Sequence, residues 1–356
     1  MYFLHTADWQ IGMKAASAGG AAAAVRSARL AAARRVVALE ADFLVLAGDT
    51  FEDNAVDRAL VQATGEILGQ FRGPVYILPG NHDPLQPGSV WEHAVWRQFP
   101  NLHLIREAAA IPVAGGTLIA APLTEVHSRR DPTACLADIA RPTGTVIGMS
   151  HGTVEGVDPD TEHHPIARDA WKRARVDYLA LGHWHSTALY PDEQGAIRTA
   201  YCGTHETTKF GERDSGKVLR IRIENGPPQV EQLSTGGLSW IAMQERVRAA
   251  GDLAALRDRI AALPGGALVR LEITGLLHAA EAGTLRQIGE MGGRFLSFSL
   301  DSSGLCPAAE DGWEESLPVG AARLAARQLR ERASNGDALA AEALLELQAL
   351  AAQVRT

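Results

Sequence analysis

The sequence predicts a layered α/β fold on three observations. Short apolar runs alternate with helical patterns, the runs end in glycine or a polar residue, and hairpin-like strands take over after residue 187. Runs of this length, rich in Val, Ile and Leu, read as buried strands, and their alternation with helices argues for layers of both. In chain order the strands are "YFLHTA" (2–7), "DFLVLAG" (42–48), "PVYILPG" (74–80), "TLIAAP" (117–122), "TVIGMSHG" (145–152) and "DYLALGH" (177–183). Ala-rich 21–40 and amphipathic 55–71 read as helices between the first three. From about 187 to 235, "ALYPDEQGAIRTAYCGT" and "GKVLRIRIENGPPQVEQL" read as antiparallel strands joined by Gly, Asn and Pro turns. A boundary is expected near "STGGLSW" (234–240), closing a first domain of residues 1–237. Helix 252–263, strand 267–274, helix 279–291 and strand 294–300 make a small α/β domain over 238–300. Residues 301–318 read as a linker, and 319–356 as two amphipathic helices broken at "SNGD".

Composition narrows the function. The 356 residues, 46% hydrophobic, can bury two or three cores. A net charge of −8 does not attract polyanions, so a phosphate-bearing substrate needs a local positive centre, which bound cations could supply. Cys135, Cys202 and Cys306 are sparse and form no C-x-x-C motif, which points to a reducing cytoplasm. The N-terminus lacks a secretory pattern, and no apolar run reaches the roughly 20 residues needed to span a bilayer, so no membrane role is expected.

The chemistry is written at the strand ends. Strand 2–7 leads into Asp8 and Gln10, strand 42–47 into Asp49, strand 74–79 into Asn81, His82 and Asp83, strand 145–150 into His151, and strand 177–182 into His183 and His185. Ligand sites of α/β sheets lie at the carboxyl ends of strands, so these groups can meet in one crevice. In extended chain, residues i and i+2 point the same way, which pairs Asp8 with Gln10 and His183 with His185. Carboxylates, imidazoles and an amide oxygen suit divalent manganese, iron or zinc. A lone Asp or His at a strand end is ordinarily a turn former or cap; the ordered set is what carries the metal-site expectation.

The ordered motifs D-x-H (with Gln10 at its last position), G-D, G-N-H-D, a lone H and G-H-x-H resemble those of the calcineurin-like metallophosphoesterases. Within that superfamily "HTADWQIG", "GDTFEDN", "PGNHDP", "GHWH" and "GTHETTKFGE" resemble the SbcD-type double-strand-break-repair exonucleases. The resemblance implies a sandwich of two mixed β-sheets flanked by helices, followed by a cap domain and C-terminal helices. It implies two divalent ions, manganese foremost, with Mg2+, Fe2+ or Zn2+ as alternatives. Asp8, Gln10, Asp49 and His185 would hold one ion, and Asp49, Asn81, His151 and His183 the other. His82 would sit over the phosphate, stabilising charge or protonating the leaving oxygen, and adjacency suggests that Asp83 orients it. DNA is the implied substrate. The implied partner is an SMC-like coiled-coil ATPase of the SbcC type, docked on helices 319–355, and a homodimer through helices near 55–71 and 85–99 is a further expectation.

Gln10 is the departure. Two roles fit it: direct or water-mediated ligation through its amide oxygen, or a hydrogen bond to a metal-bound water. Glu52 also stands where many relatives carry histidine or aspartate. Lys209, Arg213 and His205, in or beside "GTHETTKFGE", are placed to meet a DNA backbone at the rim. His5 reads as a packed strand residue, His163 and His164 as a solvated loop, and Trp91 and Trp96 as core rather than base-stacking residues. Competing functions are a cyclic-nucleotide or other small-molecule phosphodiesterase on the same core, and a catalytically weakened DNA-end-binding subunit.

Overall fold

The structure is a computed structural model that describes residues 1–140, 143–157, 163–308 and 312–355. The chain divides into two compact units, Met1–Leu238 and Ser239–Thr356.

The first unit runs β1 (Tyr2–Thr6), α1 (Ala22–Val37), β2 (Phe43–Ala47), α2 (Arg58–Leu68), β3 (Val75–Leu78), β4 (Leu102–Leu104), β5 (Ala109–Val113) and β6 (Gly116–Ala120). It continues with β7 (Val146–His151), β8 (Thr153–Val154), β9 (Pro165–Ile166), α3 (Ala170–Arg173), β10 (Tyr178–Gly182), β11 (Ala188–Pro191), β12 (Ile197–Tyr201), β13 (Lys217–Arg222) and β14 (Gln229–Ser234). One six-stranded sheet has the order β14-β13-β1-β2-β3-β4, the other β11-β12-β10-β7-β6-β5, and both are mixed. β1 to β4 pair in parallel and β13 and β14 add antiparallel. In the second sheet β6, β7, β10 and β12 are parallel, with β5 and β11 antiparallel at the edges.

Period-two alternation builds the layers. Leu4, Leu44 and Leu46 face one way, packing with Val36 and Val37 of α1 and Val61, Ile67 and Leu68 of α2. Their neighbours Phe3, Phe43 and Val45 face the other way, meeting Ile147, Met149, Tyr178 and Ala180 of the second sheet. The far face of that sheet, with Ile119, Leu179 and Leu181, is covered by Leu136, Ala170 and Ala174. Both sheets are thus buried on two sides, which explains why their central strands read as unbroken apolar runs. The α2 start is capped by the Asp57 carboxylate, which accepts from the Ala59 amide at 2.7 Å.

Trp91 and Trp96 are core residues, edge-on to Phe51. The expected helix over 85–99 is instead two 3-10 turns, Val90–Glu92 and Ala94–Arg97. Pro84 and Pro87 precede them, and both Trp indoles turn inward to bond backbone carbonyls of Asp83 and Val90. Strands β4 and β5 escaped the sequence analysis: one is three residues long and both lie at sheet edges, half exposed.

The second unit holds β15 (Trp240–Val247), α4 (Asp252–Ala261), β16 (Leu268–Leu277), α5 (Ala282–Glu290), β17 (Ser297–Pro307), α6 (Ala321–Ser334) and α7 (Ala338–Arg355). Its sheet is parallel, in the order β15-β16-β17, over a core that includes Leu253, Leu256, Ile260 and Ile288. Two sequence expectations change here. β15 was not foreseen. The expected linker begins as strand, since β17 continues through Pro307 past a register shift opposite Glu272–Thr274, an irregularity that hid the strand's second half among small polar residues. Residues 309–311 of that stretch lie outside the described residues. Among the described residues no helix is long and apolar enough to cross a membrane.

Candidate metal centre

The predicted ligand residues stand at the carboxyl ends of parallel strands. β1, β2 and β3, adjacent in the first sheet, deliver Asp8, Asp49 and Asn81; β7 and β10, adjacent in the second, deliver His151 and His183. The turns are strained in a consistent way. Asp8, Gln10, Asp49 and His183 all have positive φ, at 53°, 40°, 50° and 108°. A non-glycine residue seldom adopts that region, and such residues collect at functional sites. Two glycines make room for the close approach. A Cβ on Gly80 would fall on the Asp49 carboxylate, and one on Gly182 would meet Ala47 O and the His151 ring.

Donor atoms of Asp49, His151 and His183 lie within 4.8 Å of one another. Asn81 joins them, its Oδ1 accepting from His151 Nε2 and from His183 Nδ1, both at 2.9 Å. His151 Nδ1 donates to Ala47 O at 2.8 Å, and its Nε2 is 3.2 Å from Asp49 Oδ2. A carboxylate, an amide oxygen and two imidazoles, all largely buried, form a donor set that suits a borderline divalent cation. The electrostatics agree. Burial alone would discharge both members of the Asp49–His151 pair. Their mutual attraction outweighs it, so His151 is raised to about 9 and Asp49 is held below the usual carboxylate range. The His151 Nε2 proton thus faces Asn81 Oδ1 and Asp49 Oδ2, where a cation would replace it. His183 is lowered to about 3, by burial first and then by charged His151, and stays a neutral imidazole.

The other predicted set shares Asp49. Asp8 is fully buried, and both its carboxylate oxygens accept from the His183 amide, at 2.9 and 3.0 Å. Burial raises it to about 6 against the pull of His151 and His185. Gln10 is buried, and its amide N–H donates to Asp49 O at 2.9 Å; among the described residues its side chain has no hydrogen-bond partner. His185 Nδ1 donates to Glu212 Oε1 at 2.9 Å. Burial would raise Glu212, but His185 outweighs it and holds the carboxyl below its ordinary value.

His82 is half-buried beside this cluster. Its amide donates to Asp49 Oδ1 at 2.9 Å and its Nδ1 donates to Glu52 O at 2.8 Å, which leaves Nε2 unengaged. The expectation for Asp83 is corrected. Its carboxylate accepts from the Phe51 and Gly80 amides, at 2.9 and 2.7 Å, and so clamps two ligand loops together instead of orienting the His82 ring, which the Glu52 carbonyl holds. His205 is corrected too: it is wholly buried, stacked on Trp9 at 4.9 Å, and bonded to Arg29 O, so it cannot meet substrate at a rim. Lys209 and Arg213 are exposed. His5 is buried in β1, as expected. His164 is buried rather than solvated, its amide held by Ser128 O.

Two residues were missed. Arg29, fully buried on α1, donates to the carbonyls of Asp8, Trp9 and Glu206 and so braces the strained Asp8–Gln10 turn. Its only sequence signal is an arginine within an otherwise apolar helical stripe. Glu212 closes the quoted "GTHETTKFGE" run, but nothing local shows that it reaches His185, 27 residues away.

This geometry agrees with the comparisons. The family model for calcineurin-like phosphoesterases matches residues 1–187, more than half of the chain, and the protein belongs to that family of metal-dependent phosphoesterases. It is 26% identical over 234 residues to the metallophosphoesterase YhaO of Bacillus subtilis, covering 60% of this chain and 53% of that one. It is 24% identical over 255 residues to the DNA double-strand break repair protein Mre11 of Archaeoglobus fulgidus, covering 63% and 54%. The chain spans about half the length of these curated relatives. Among solved structures, TT1561 of Thermus thermophilus aligns over 65% of this chain and 98% of its own, with a TM-score of 0.41 and 14% identity.

Proposed function

We propose that the protein is a two-metal phosphodiesterase that cleaves DNA, an exo- or endonuclease of double-strand-break repair. The observation that carries this reading is the convergence of Asp49, Asn81, His151 and His183 from four strand ends, with His82 beside them. The similarity to a relative named for DNA double-strand break repair supports DNA as the substrate. Asn81, His151 and His183 would hold one divalent ion and Asp8, Gln10 and His185 the other, with Asp49 common to both; manganese is the proposed metal. When bound, such a pair offsets charge on the phosphoryl oxygens and activates the attacking water. His82 donates its Nδ1 proton to Glu52 O, and with a second proton on Nε2 the ring would face the leaving oxygen as an imidazolium, giving it that proton or offsetting its charge. Exposed Lys209 and Arg213 would contact the phosphate backbone without reading sequence.

The proposed partner is an SMC-like coiled-coil ATPase on the α6–α7 pair, where Leu324, Leu339 and Leu350 are exposed; a homodimer is a second assembly consistent with this reading. A cytoplasmic location is in keeping with the three unpaired thiols. The test offers Mn2+ with labelled linear duplex and single-stranded DNA, beside bis-p-nitrophenyl phosphate and cyclic AMP. DNA hydrolysis is expected, and His82→Ala should lower kcat by about 10²–10⁴-fold with metal binding retained. Hydrolysis of the small esters alone would favour a small-molecule phosphodiesterase. Binding of DNA ends without cleavage would favour an end-binding subunit.

A further inference from the structure

Glu212 belongs to neither ligand set, yet its carboxylate is nearly buried, at 3% exposure, and faces His185. Its Oε1 accepts from His185 Nδ1 at 2.9 Å and from the Thr208 hydroxyl. Its Oε2 accepts from the Thr208 and Lys209 amides at 2.6 and 3.4 Å. An ionised carboxylate only accepts, so the proton in the His185 contact belongs to Nδ1 and the Nε2 lone pair is left for a metal. A hydrogen bond at the far nitrogen fixes the tautomer of a ligating histidine, and a negative acceptor raises its basicity.

We propose that Glu212 is a positioning residue that commits His185 to Nε2 ligation and strengthens it for the ion shared with Asp8, Gln10 and Asp49. This rests on the two-ion reading above. The contrast inside the site supports it. His151 and His183 give their Nδ1 protons to neutral oxygens, Ala47 O and Asn81 Oδ1. His185 gives its proton to a full negative charge, and it does so in the set where Gln10 supplies a neutral amide in place of an imidazole. The same carboxylate gathers the turn carrying Lys209, so His185 and a cation proposed to meet phosphate share one anchor.

Calorimetric titration of the full chain with MnCl2 tests this without nucleic acid. Glu212→Gln keeps the size and removes the charge. It should weaken one of two binding steps by roughly 10–100-fold and leave the other unchanged. Thr208→Val removes a hydroxyl contact to the same carboxylate but leaves His185 partnered, and should change neither step. Unaltered affinities in Glu212→Gln overturn the proposal. So does an equal loss in Thr208→Val, which would make Glu212 a brace for its own turn only. If circular dichroism shows Glu212→Gln unfolded, side-chain 15N NMR of the unaltered Zn2+-loaded protein decides, with His185 assigned by its absence in His185→Asn. A protonated Nδ1 with a metal-shifted Nε2 is expected; a metal-shifted Nδ1 overturns the proposal. DNA cleavage enters none of these readouts, so a failed nuclease assay leaves the inference standing. Absence of two Mn2+ steps in the unaltered chain overturns it together with the two-ion reading.

Discussion

The half of the site built on Asn81, His151 and His183 is tied together by its own side chains, whereas the half built on Asp8, Gln10 and His185 is tied to its surroundings. In the first, Asn81 Oδ1 alone receives two imidazoles, and the ring of His151 is seated on Ala47 O. In the second, the strained turn through Asp8 and Gln10 is braced from behind by Arg29, and His185 is held from the side by Glu212. Buried groups that satisfy one another remain ordered without help. Groups that depend on a distant arginine or glutamate can be adjusted by changing that neighbour alone. The externally braced half can therefore be tuned through its neighbours, and it is the half in which Gln10 stands at the last position of D-x-H.

Asn81→Ala makes the largest break in this contrast. It removes a proposed ligand and the acceptor of two imidazoles at once, so Mn2+ affinity at that step should fall well beyond the roughly 10–100-fold that outer partners contribute. Binding calorimetry beside circular dichroism separates ligand loss from unfolding. A fall no greater than that of Glu212→Gln would erase the distinction between the halves.

Both halves were legible in the sequence for one reason: their residues stand at or just past the ends of apolar runs, and a strand end can be read locally. The six main strands and the first two helices were legible for the same reason, since both sheets are buried on two faces. The misses were non-local. Arg29 and Glu212 act across 20 and 27 residues on turns that no local pattern connects to them. Asp83 misled because adjacency suggested His82, while its carboxylate reaches back 32 residues to the Phe51 amide. Strands β4, β5 and β15 are short or half-exposed, and the register shift in β17 concealed its second half.

Gln10→His should sharpen the contrast at intermediate size. An added imidazole in the externally supported half should raise affinity at one step by about tenfold and move preference from Mn2+ toward Zn2+. The side chain of Gln10 has no hydrogen-bond partner to lose among the described residues, so thermal stability should hold. Competition titrations with both metals measure it, and an unchanged preference would remove Gln10 from contact with either ion.

The smallest expected effect comes from His5, which joins the two sheets beneath the site. Its Nε2 donates to Leu181 O at 3.1 Å, so its Nδ1 accepts from the Tyr178 hydroxyl at 3.0 Å, and the neutral ring is fully satisfied. Burial, opposed by the Leu181 carbonyl, lowers its pKa to about 3 from 6.5. Between these values the unfolded chain takes up a proton that the folded chain refuses, so stability is whole above about pH 6.5 and is lost as pH falls toward 3. Asp8, raised to about 6, contributes in the opposite sense, because the folded chain holds its proton longer than the unfolded one. The metal-free wild type alone therefore mixes the two. His5→Gln removes only the histidine contribution: its urea midpoint should fall less between about pH 7 and pH 4.5 than that of the wild type. Parallel losses in the two proteins would mean that His5 is protonated as readily inside the fold as outside it, and that the link between the sheets is not the neutral, two-bonded ring described here.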